Sequence, residues 1–350
     1  MRAAVMEAVR APLVVREVPE PACPRDGAIV RVEANGVCRS DWHAWVGDWD
    51  WLGYQVPCPH VLGHEMSGVV EEVGPEARGF HAGDRVIVPF CQGEGACEMC
   101  RQGMQNLCRN GFAIGFAYWG GFGRYVAVPH ADVNLVILPE TIGFVDGASL
   151  GCRFMTAFHG IVDQAQVRPG EWVAVHGCGG VGLSAVQIAS ALGANVIGVD
   201  IGADKLAAAR QHGAVETVHA GDADAARAVR ELTKGGAHVA IDALGIEATC
   251  TNAIRSLRAR GRHLQIGLTS SAERGKIALP IDLIVGKELT VVGSHGMHVP
   301  RYASMLAMIE TGKLNPRTLV SRTIALEQAG EVLAAMDDYA TLGIAVIDRY

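Results

Sequence analysis

Hydrophobic positions change rhythm near residue 150 of the 350-residue chain. Before it, short runs rich in β-branched residues recur at Val14–Val15, Ala28–Val32, Ser67–Val73, Arg85–Pro89 and Arg124–Val128. Clusters of Gly, Pro and charge separate them, a spacing that predicts a compact β barrel or sandwich with loops. The stretch 90–120 interrupts the pattern, because Cys, Gly and polar residues dominate it. Something other than an apolar core must order it. Beyond 150, strands and helices alternate. Trp172–His176 reads as a buried strand, Val181–Leu192 is apolar at helical spacing, Val196–Val199 is a second strand and Lys205–His212 is helical. His238–Ile241, Gly261–Ile266 and Leu289–Val292 read as further strands. Such alternation predicts a parallel sheet covered by helices on both faces. Residues 301–313 and 326–338 read as amphipathic helices, and Gly343–Ile347 as a last strand. The expected class is therefore α/β: a β-rich domain from 1–150 and 296–350, and a doubly wound parallel-sheet domain inserted at 151–295.

Composition narrows the functional classes. Hydrophobic residues at 49% and charged residues at 19% give a globular profile, not a disordered one. A net charge of -7 speaks against a nucleic-acid partner and against an anionic membrane surface. Met1–Glu20 carries Arg2, Glu7, Arg10, Arg16 and Glu17 and no apolar core, so no secretory signal is expected. Trp172–Val199 holds no Asp, Glu, Lys or Arg and is long enough to span a bilayer. Its six glycines, with Ser184, Gln187, Ser190 and Asn195, divide it into strand, helix and strand instead. Ten cysteines without a signal predict a reducing, cytoplasmic setting, where clustered cysteines bind metal more readily than they pair.

Three motifs carry chemistry. Gly177-Cys178-Gly179-Gly180-Val181-Gly182 follows a strand and opens a helix, and Asp200 ends the next strand. That context is what a dinucleotide fingerprint requires. Gly177 makes the tight turn, Gly179 lets the backbone approach a pyrophosphate on the helix N-terminus, and Gly182 allows close helix–strand packing. Asp200 would accept hydrogen bonds from an adenosine ribose and repel a 2′-phosphate, which favours NAD over NADP. The second motif is Gly36-Val37-Cys38-Arg39-Ser40-Asp41-Trp42-His43, with Gly63-His64-Glu65 further on. Cys and His suit zinc; Asp41 could orient the His64 ring; Ser40 and His43 are the parts of a proton relay. Cys38 taken alone reads equally well as a small buried hydrophobe. The third is Glu94 followed by Cys97, Cys100 and Cys108, a zinc-knuckle spacing whose fourth ligand is Glu94 or Cys91.

Together with Gly151-Cys152, and in this order, these motifs resemble the zinc-dependent medium-chain alcohol dehydrogenase family over essentially the whole chain. The resemblance implies a GroES-like catalytic domain, a Rossmann domain, and reversible hydride transfer between an alcohol and NAD, giving an aldehyde or ketone. It implies that Cys38, His64 and Cys152 hold a catalytic zinc with an open fourth position. Glu65 is then the nearby carboxylate that approaches the metal when the fourth ligand leaves. It implies a second, structural zinc on Glu94, Cys97, Cys100 and Cys108, because microbial members with Gln-Gly-Glu-Gly-x-Cys, as at 92–97, use the glutamate. Cys91 then lines the substrate pocket. The alcohol proton leaves through Ser40, the cofactor ribose and His43. Thr156 and Val181 back the nicotinamide, Lys205 reaches the adenosine ribose and Arg39 approaches the pyrophosphate. Many members also carry an Arg near the C-terminus for the pyrophosphate, where this chain has Gly343-Ile344-Ala345. The implied partner is a small molecule, and the implied assembly is a homotetramer. A polyol or sugar dehydrogenase of the same superfamily is the rival enzyme reading, and a non-enzymatic zinc-ribbon protein the rival outside enzymes. Trp42, Trp45, Trp49 and Trp51 read either as packing or as an apolar pocket wall.

Overall fold

The computed structural model describes residues 1–222, 224–337 and 341–350. The chain divides into two compact units, Met1–Met155 with Gly296–Tyr350, and Thr156–His295.

The Thr156–His295 unit is built on six parallel strands. Their spatial order is Ala214–His219, Asn195–Asp200, Trp172–His176, Ala237–Asp242, Leu257–Gln265 and Thr290–Gly293. Four consecutive residues of Trp172–His176 are buried, which requires cover on both faces. Ala174, Ile197, Val199, Val218, Val229, Ala240 and Leu257 share one core. Chain order reverses between Trp172–His176 and Ala237–Asp242. Ligands of open parallel sheets bind at the carboxyl ends of strands at such a reversal.

The other unit is β-rich. Val14–Glu17, Arg2–Met6 and His60–Val61 form a three-stranded antiparallel sheet. A seven-stranded sheet runs Val136–Ile137, Arg85–Val88, Glu65–Val73, Ala28–Val37, Ile344–Arg349 and Val320–Ala325, with Tyr125–Val128 also on Ala28–Val37. Two apolar clusters fill it, one around Met6, Leu62, Phe122 and Leu333, the other around Val30, Met66, Val88 and Val126. The lobe at 90–120 holds only short pieces, such as Cys91–Gln92 paired with Phe112–Ala113 and the helix Glu98–Arg101. Ile114 and Phe116 near its end join the two apolar clusters, and a polar tie adds to them. Asn134 accepts from Gly93 N at 2.9 Å and donates back to Gly93 O at 2.9 Å.

The α/β class stands, with corrections at particular elements. Arg2–Met6 is a strand whose last four residues are all buried, so it lacks the alternation that marks a half-buried strand. Ala214–His219 is a strand at the sheet edge, where Glu216 and Thr217 are tolerated and dilute the apolar signal. The helices begin at Gly180 and Ala203, earlier than the apolar residues suggest. The helix expected at 326–338 is a short 3-10 turn, Leu326–Gln328, then Ala329–Ala334; position 338 lies outside the described residues. Among the described residues no helix is long and apolar enough to cross a membrane.

Candidate metal centre and dinucleotide site

Cys38 caps the N-terminus of helix Arg39–Val46 in extended conformation. Asp41, three residues on, reaches back and accepts from Cys38 N at 2.9 Å. Its other oxygen accepts from Gly63 N at 3.1 Å and bonds His64 Nδ1 at 2.8 Å. One fully buried carboxylate thus ties the two motif segments together and fixes the His64 ring. Cys152 arrives from a third segment. Gly151 lies against the Glu65 backbone, where a Cβ would come 2.8 Å from Glu65 Cα, so only glycine allows this approach.

These segments bring Cys38, His64, Glu65 and Cys152 into one buried group whose ligand atoms all lie within 4.8 Å of one another. His64 Nε2 is buried there without a hydrogen-bond partner. Hydrogen bonding from Cys152 holds the Cys38 thiol well below its usual range against the cost of burial, while the Cys152 thiol is pushed well above it. An orphaned imidazole nitrogen beside two sulfurs is a soft N/S donor set that suits a zinc ion. Glu65 is held by Arg153. Arg153 Nε donates to Oε1 at 2.9 Å, Arg153 N to Oε1 at 3.2 Å, and Arg153 Nη2 to Oε2. Burial raises the Glu65 carboxyl and Arg153 acts against it.

In the lobe, Cys97, Cys100 and Cys108 come together. Cys97 Sγ is 3.6 Å from Cys100 Sγ and 3.7 Å from Cys108 Sγ. Thiolates bonded tetrahedrally to zinc at ~2.3 Å stand about 3.8 Å apart, so the spacing fits. Backbone hydrogen bonds from Cys100 and Arg109 lower the Cys97 thiol to about 7, toward the deprotonated form that metal needs. The Glu94 carboxylate is not gathered with the three sulfurs; Asn110 Nδ2 donates to it at 2.9 Å. Cys91 is buried, and burial raises its thiol.

The Gly177–Gly182 turn links strand Trp172–His176 to helix Gly180–Ala191. Gly177 has φ +90°, and a Cβ on Gly182 would overlap Gly177 O. Around Gly179 a Cβ would meet nothing within 4 Å, which leaves its backbone open to a ligand. Asp200 accepts from Cys178 N at 2.7 Å and from Gly202 N at 2.9 Å, so it braces the turn from the next strand.

Family models for an alcohol dehydrogenase GroES-like domain and a zinc-binding dehydrogenase match residues 24–140 and 180–311. The chain is 32% identical to an NAD-dependent alcohol dehydrogenase from Sulfurisphaera tokodaii, over 99% of each chain. It belongs to the zinc-dependent medium-chain dehydrogenase/reductase family. The solved structure of an alcohol dehydrogenase from Thermus sp. ATN1 superposes with TM-score 0.90 at 32% identity, covering 99% of both chains. D-xylulose reductase A of Aspergillus niger is 35% identical over 90% of this chain and 87% of its own.

Other residues singled out on the medium-chain dehydrogenase resemblance have defined surroundings. The His43 ring bonds Asp48 Oδ2 through Nδ1 at 2.6 Å and stacks on Trp49 at 5.6 Å between centroids. Burial lowers its pKa, and Asp48 opposes that. Ser40 lies in the first turn of the same helix. The Arg39 guanidinium stacks over Trp42 at 3.6 Å and donates to Met336 O. Thr156, in helix Arg153–His159, has a buried hydroxyl without a hydrogen-bond partner. Val181 is in the first turn of helix Gly180–Ala191, and Lys205 is in helix Ala203–Gln211. Trp45 belongs to the core, with Trp42 and Trp49 packed against it. Sequence reasoning passed over Arg153, Asp48 and Asn134. Arg153 had a signal: between Asp146 and Asp163 no other Asp, Glu, Lys or Arg occurs.

Proposed function

We propose that this chain is a zinc-dependent alcohol dehydrogenase that exchanges hydride between an alcohol and NAD. The buried group of Cys38, His64, Glu65 and Cys152 carries the reading. Cys38, His64 and Cys152 would hold a zinc ion, and Cys97, Cys100 and Cys108 with Glu94 a second one. When bound, the first zinc supplies Lewis acidity that lowers the pKa of an alcohol hydroxyl, while NAD accepts hydride. Asp41 keeps the His64 proton on Nδ1, so Nε2 stays available as a donor. Ser40 and His43 carry the hydroxyl proton outward. With Nδ1 engaged by Asp48, the His43 nitrogen that receives it is Nε2. Gly177, Gly179, Gly180, Val181 and Gly182 cradle the cofactor phosphates, Asp200 and Lys205 its ribose, Thr156 and Val181 the nicotinamide, and Arg39 the pyrophosphate. A homotetramer is the assembly that family analogy supports, and ten free cysteines fit a reducing cytoplasm.

The test is metal analysis with a substrate panel under NAD and NADP. Medium-length aliphatic and aromatic alcohols are expected to exceed polyols in kcat/KM. Walls built from Trp and Cys would leave extra hydroxyls unpaired at about 1–3 kcal/mol each. The similarity to a xylulose reductase makes a polyol the informative competitor; a polyol as best substrate moves the assignment to that class.

Asp200→Gly is expected to cut kcat/KM for NAD at least about tenfold, because charged hydrogen bonds contribute about 1.5–3 kcal/mol each. Relative use of NADP should rise, since a repelling carboxylate is gone. Equal wild-type rates with the two cofactors at low concentration would contradict this role.

Burial favours the neutral His43 ring, so its pKa lies below 6.5, with Arg39 pushing the same way and Asp48 and Cys38 opposing. The ring is then a competent base at pH 6.5–7, where hydroxide is scarce. His43→Ala is expected to slow alcohol oxidation about tenfold or more there, and to approach wild type as pH rises. Parallel pH–rate profiles for the two proteins would show that the proton leaves by another route.

A further inference from the structure

We propose that Arg153 is a positioning residue that holds the Glu65 carboxylate away from the metal, leaving three donors where four are within reach. The inference rests on Cys38, His64 and Cys152 being metal ligands. A carboxylate joining them would complete four ligands, the closed arrangement of structural zinc sites; catalytic sites keep a position open. Glu65 is near enough to do so, because its oxygen belongs to the same 4.8 Å group. Both of its oxygens are instead taken by Arg153. The guanidinium meets Oε1 and Oε2, and the Arg153 backbone N–H adds a further bond to Oε1 at 3.2 Å. A planar guanidinium fork matches a carboxylate in both charge and shape, which an ammonium does not.

The clamp is itself held. Arg153 Nη2 donates to Val37 O at 3.0 Å, and Arg153 is chain neighbour to Cys152. Room for the pair comes from Gly36, opposite Glu65 in the sheet register, where a Cβ would overlap Glu65 Oε2 and sit 3.3 Å from Arg153 Nη2. Charge gives the same answer. Two thiolates balance a divalent cation, and Arg153 balances Glu65, so neither set calls on the other. Both Glu65 and Arg153 are buried, at 0% and 6% exposure. An uncompensated buried carboxylate is strongly unfavourable. Without Arg153, the nearest positive charge for Glu65 is the metal.

The cobalt(II)-substituted protein is the probe, because imidazole entering an open position shifts the visible absorption of a cobalt–thiolate centre. Wild type is expected to show that shift. Arg153→Met is expected to lose it and to release cobalt to EDTA at least about tenfold more slowly, the freed carboxylate having closed the set. Arg153→Lys, which keeps the charge, is expected to keep part of the shift. Arg153→Met combined with Glu65→Gln is expected to regain it. An Arg153→Met protein that answers imidazole as wild type does overturns the proposal. Should Arg153→Met not fold, Glu65→Gln alone decides. Unaltered cobalt affinity and imidazole response support the clamp, whereas a loss of affinity of about tenfold or more makes Glu65 a donor and overturns it. Failure of wild type to bind cobalt at this group overturns the metal assignment itself, and the clamp with it.

Discussion

Cys38→Ser is expected to lower kcat/KM for alcohol oxidation by more than about a hundredfold, since even outer partners of metal ligands cost 10–100-fold. The fold should survive. Cys38 is only the cap of helix Arg39–Val46, and Asp41 still accepts the backbone N–H at position 38. A hydroxyl is a far poorer zinc donor than a thiolate. Bound metal should therefore fall by one ion per chain while circular dichroism stays unchanged. His64 and Cys152 would be left as an incomplete set. Near-normal turnover in this variant would remove Cys38 from the ligand set.

Cys100→Ala is expected to take metal content from two ions per chain to one and to lower the thermal midpoint by about 10 °C. The lobe at 90–120 has little apolar core of its own; Met104 and Leu107 are exposed at 40% and 51%. Three sulfurs less than 4 Å apart in two of their pairings have no packing reason to sit together. Closed zinc sites contribute folding free energy directly. Activity at low temperature should be partly kept, since the group of Cys38, His64, Glu65 and Cys152 proposed to carry the reaction is separate from these three cysteines. Glu94→Ala should act in the same direction as Cys100→Ala, and Cys91→Ala should not. The reverse pattern would exchange their roles, with Asn110 as the permanent partner of Glu94. One zinc per chain in wild type purified without chelator would remove the second metal altogether.

What was legible in the sequence was whatever chain neighbours encode. The turn at Gly177–Gly182 and the acid at Asp200 stand in a fixed local frame of strand, turn, helix and strand. Cys38 with Asp41, His64 with Glu65, and Cys97 with Cys100 are likewise short-range arrangements. Pairings across the fold were not legible. Arg153 meets Glu65 across 88 residues of sequence, and Asn134 meets Gly93 across 41. Nothing in either segment alone names its partner. Asp48 is closer to His43, but a loop aspartate after Gly47 looks like an ordinary turn residue until the ring is seen stacked on Trp49. The edge strand Ala214–His219 and the strand Arg2–Met6, buried from Ala3 onward, were missed for opposite reasons, too many polar residues in one and no alternating polar face in the other.

Strand Ile344–Arg349 lies inside the seven-stranded sheet, between Ala28–Val37 and Val320–Ala325, with Ala345 opposite Val37. Synthesis delivers a chain from its N-terminus, and domains fold as units as they emerge. The segment 156–295 is contiguous, so it can mature on the ribosome while the sheet that presents Cys38 still waits for an inner strand. The nascent protein passes through a stage with its nucleotide-type unit formed and Asn35–Val37 bare along the side that Ile344–Arg349 will cover, an edge that invites foreign strands. Premature termination between residues 296 and 343 freezes that stage, with the bare edge one residue from Cys38.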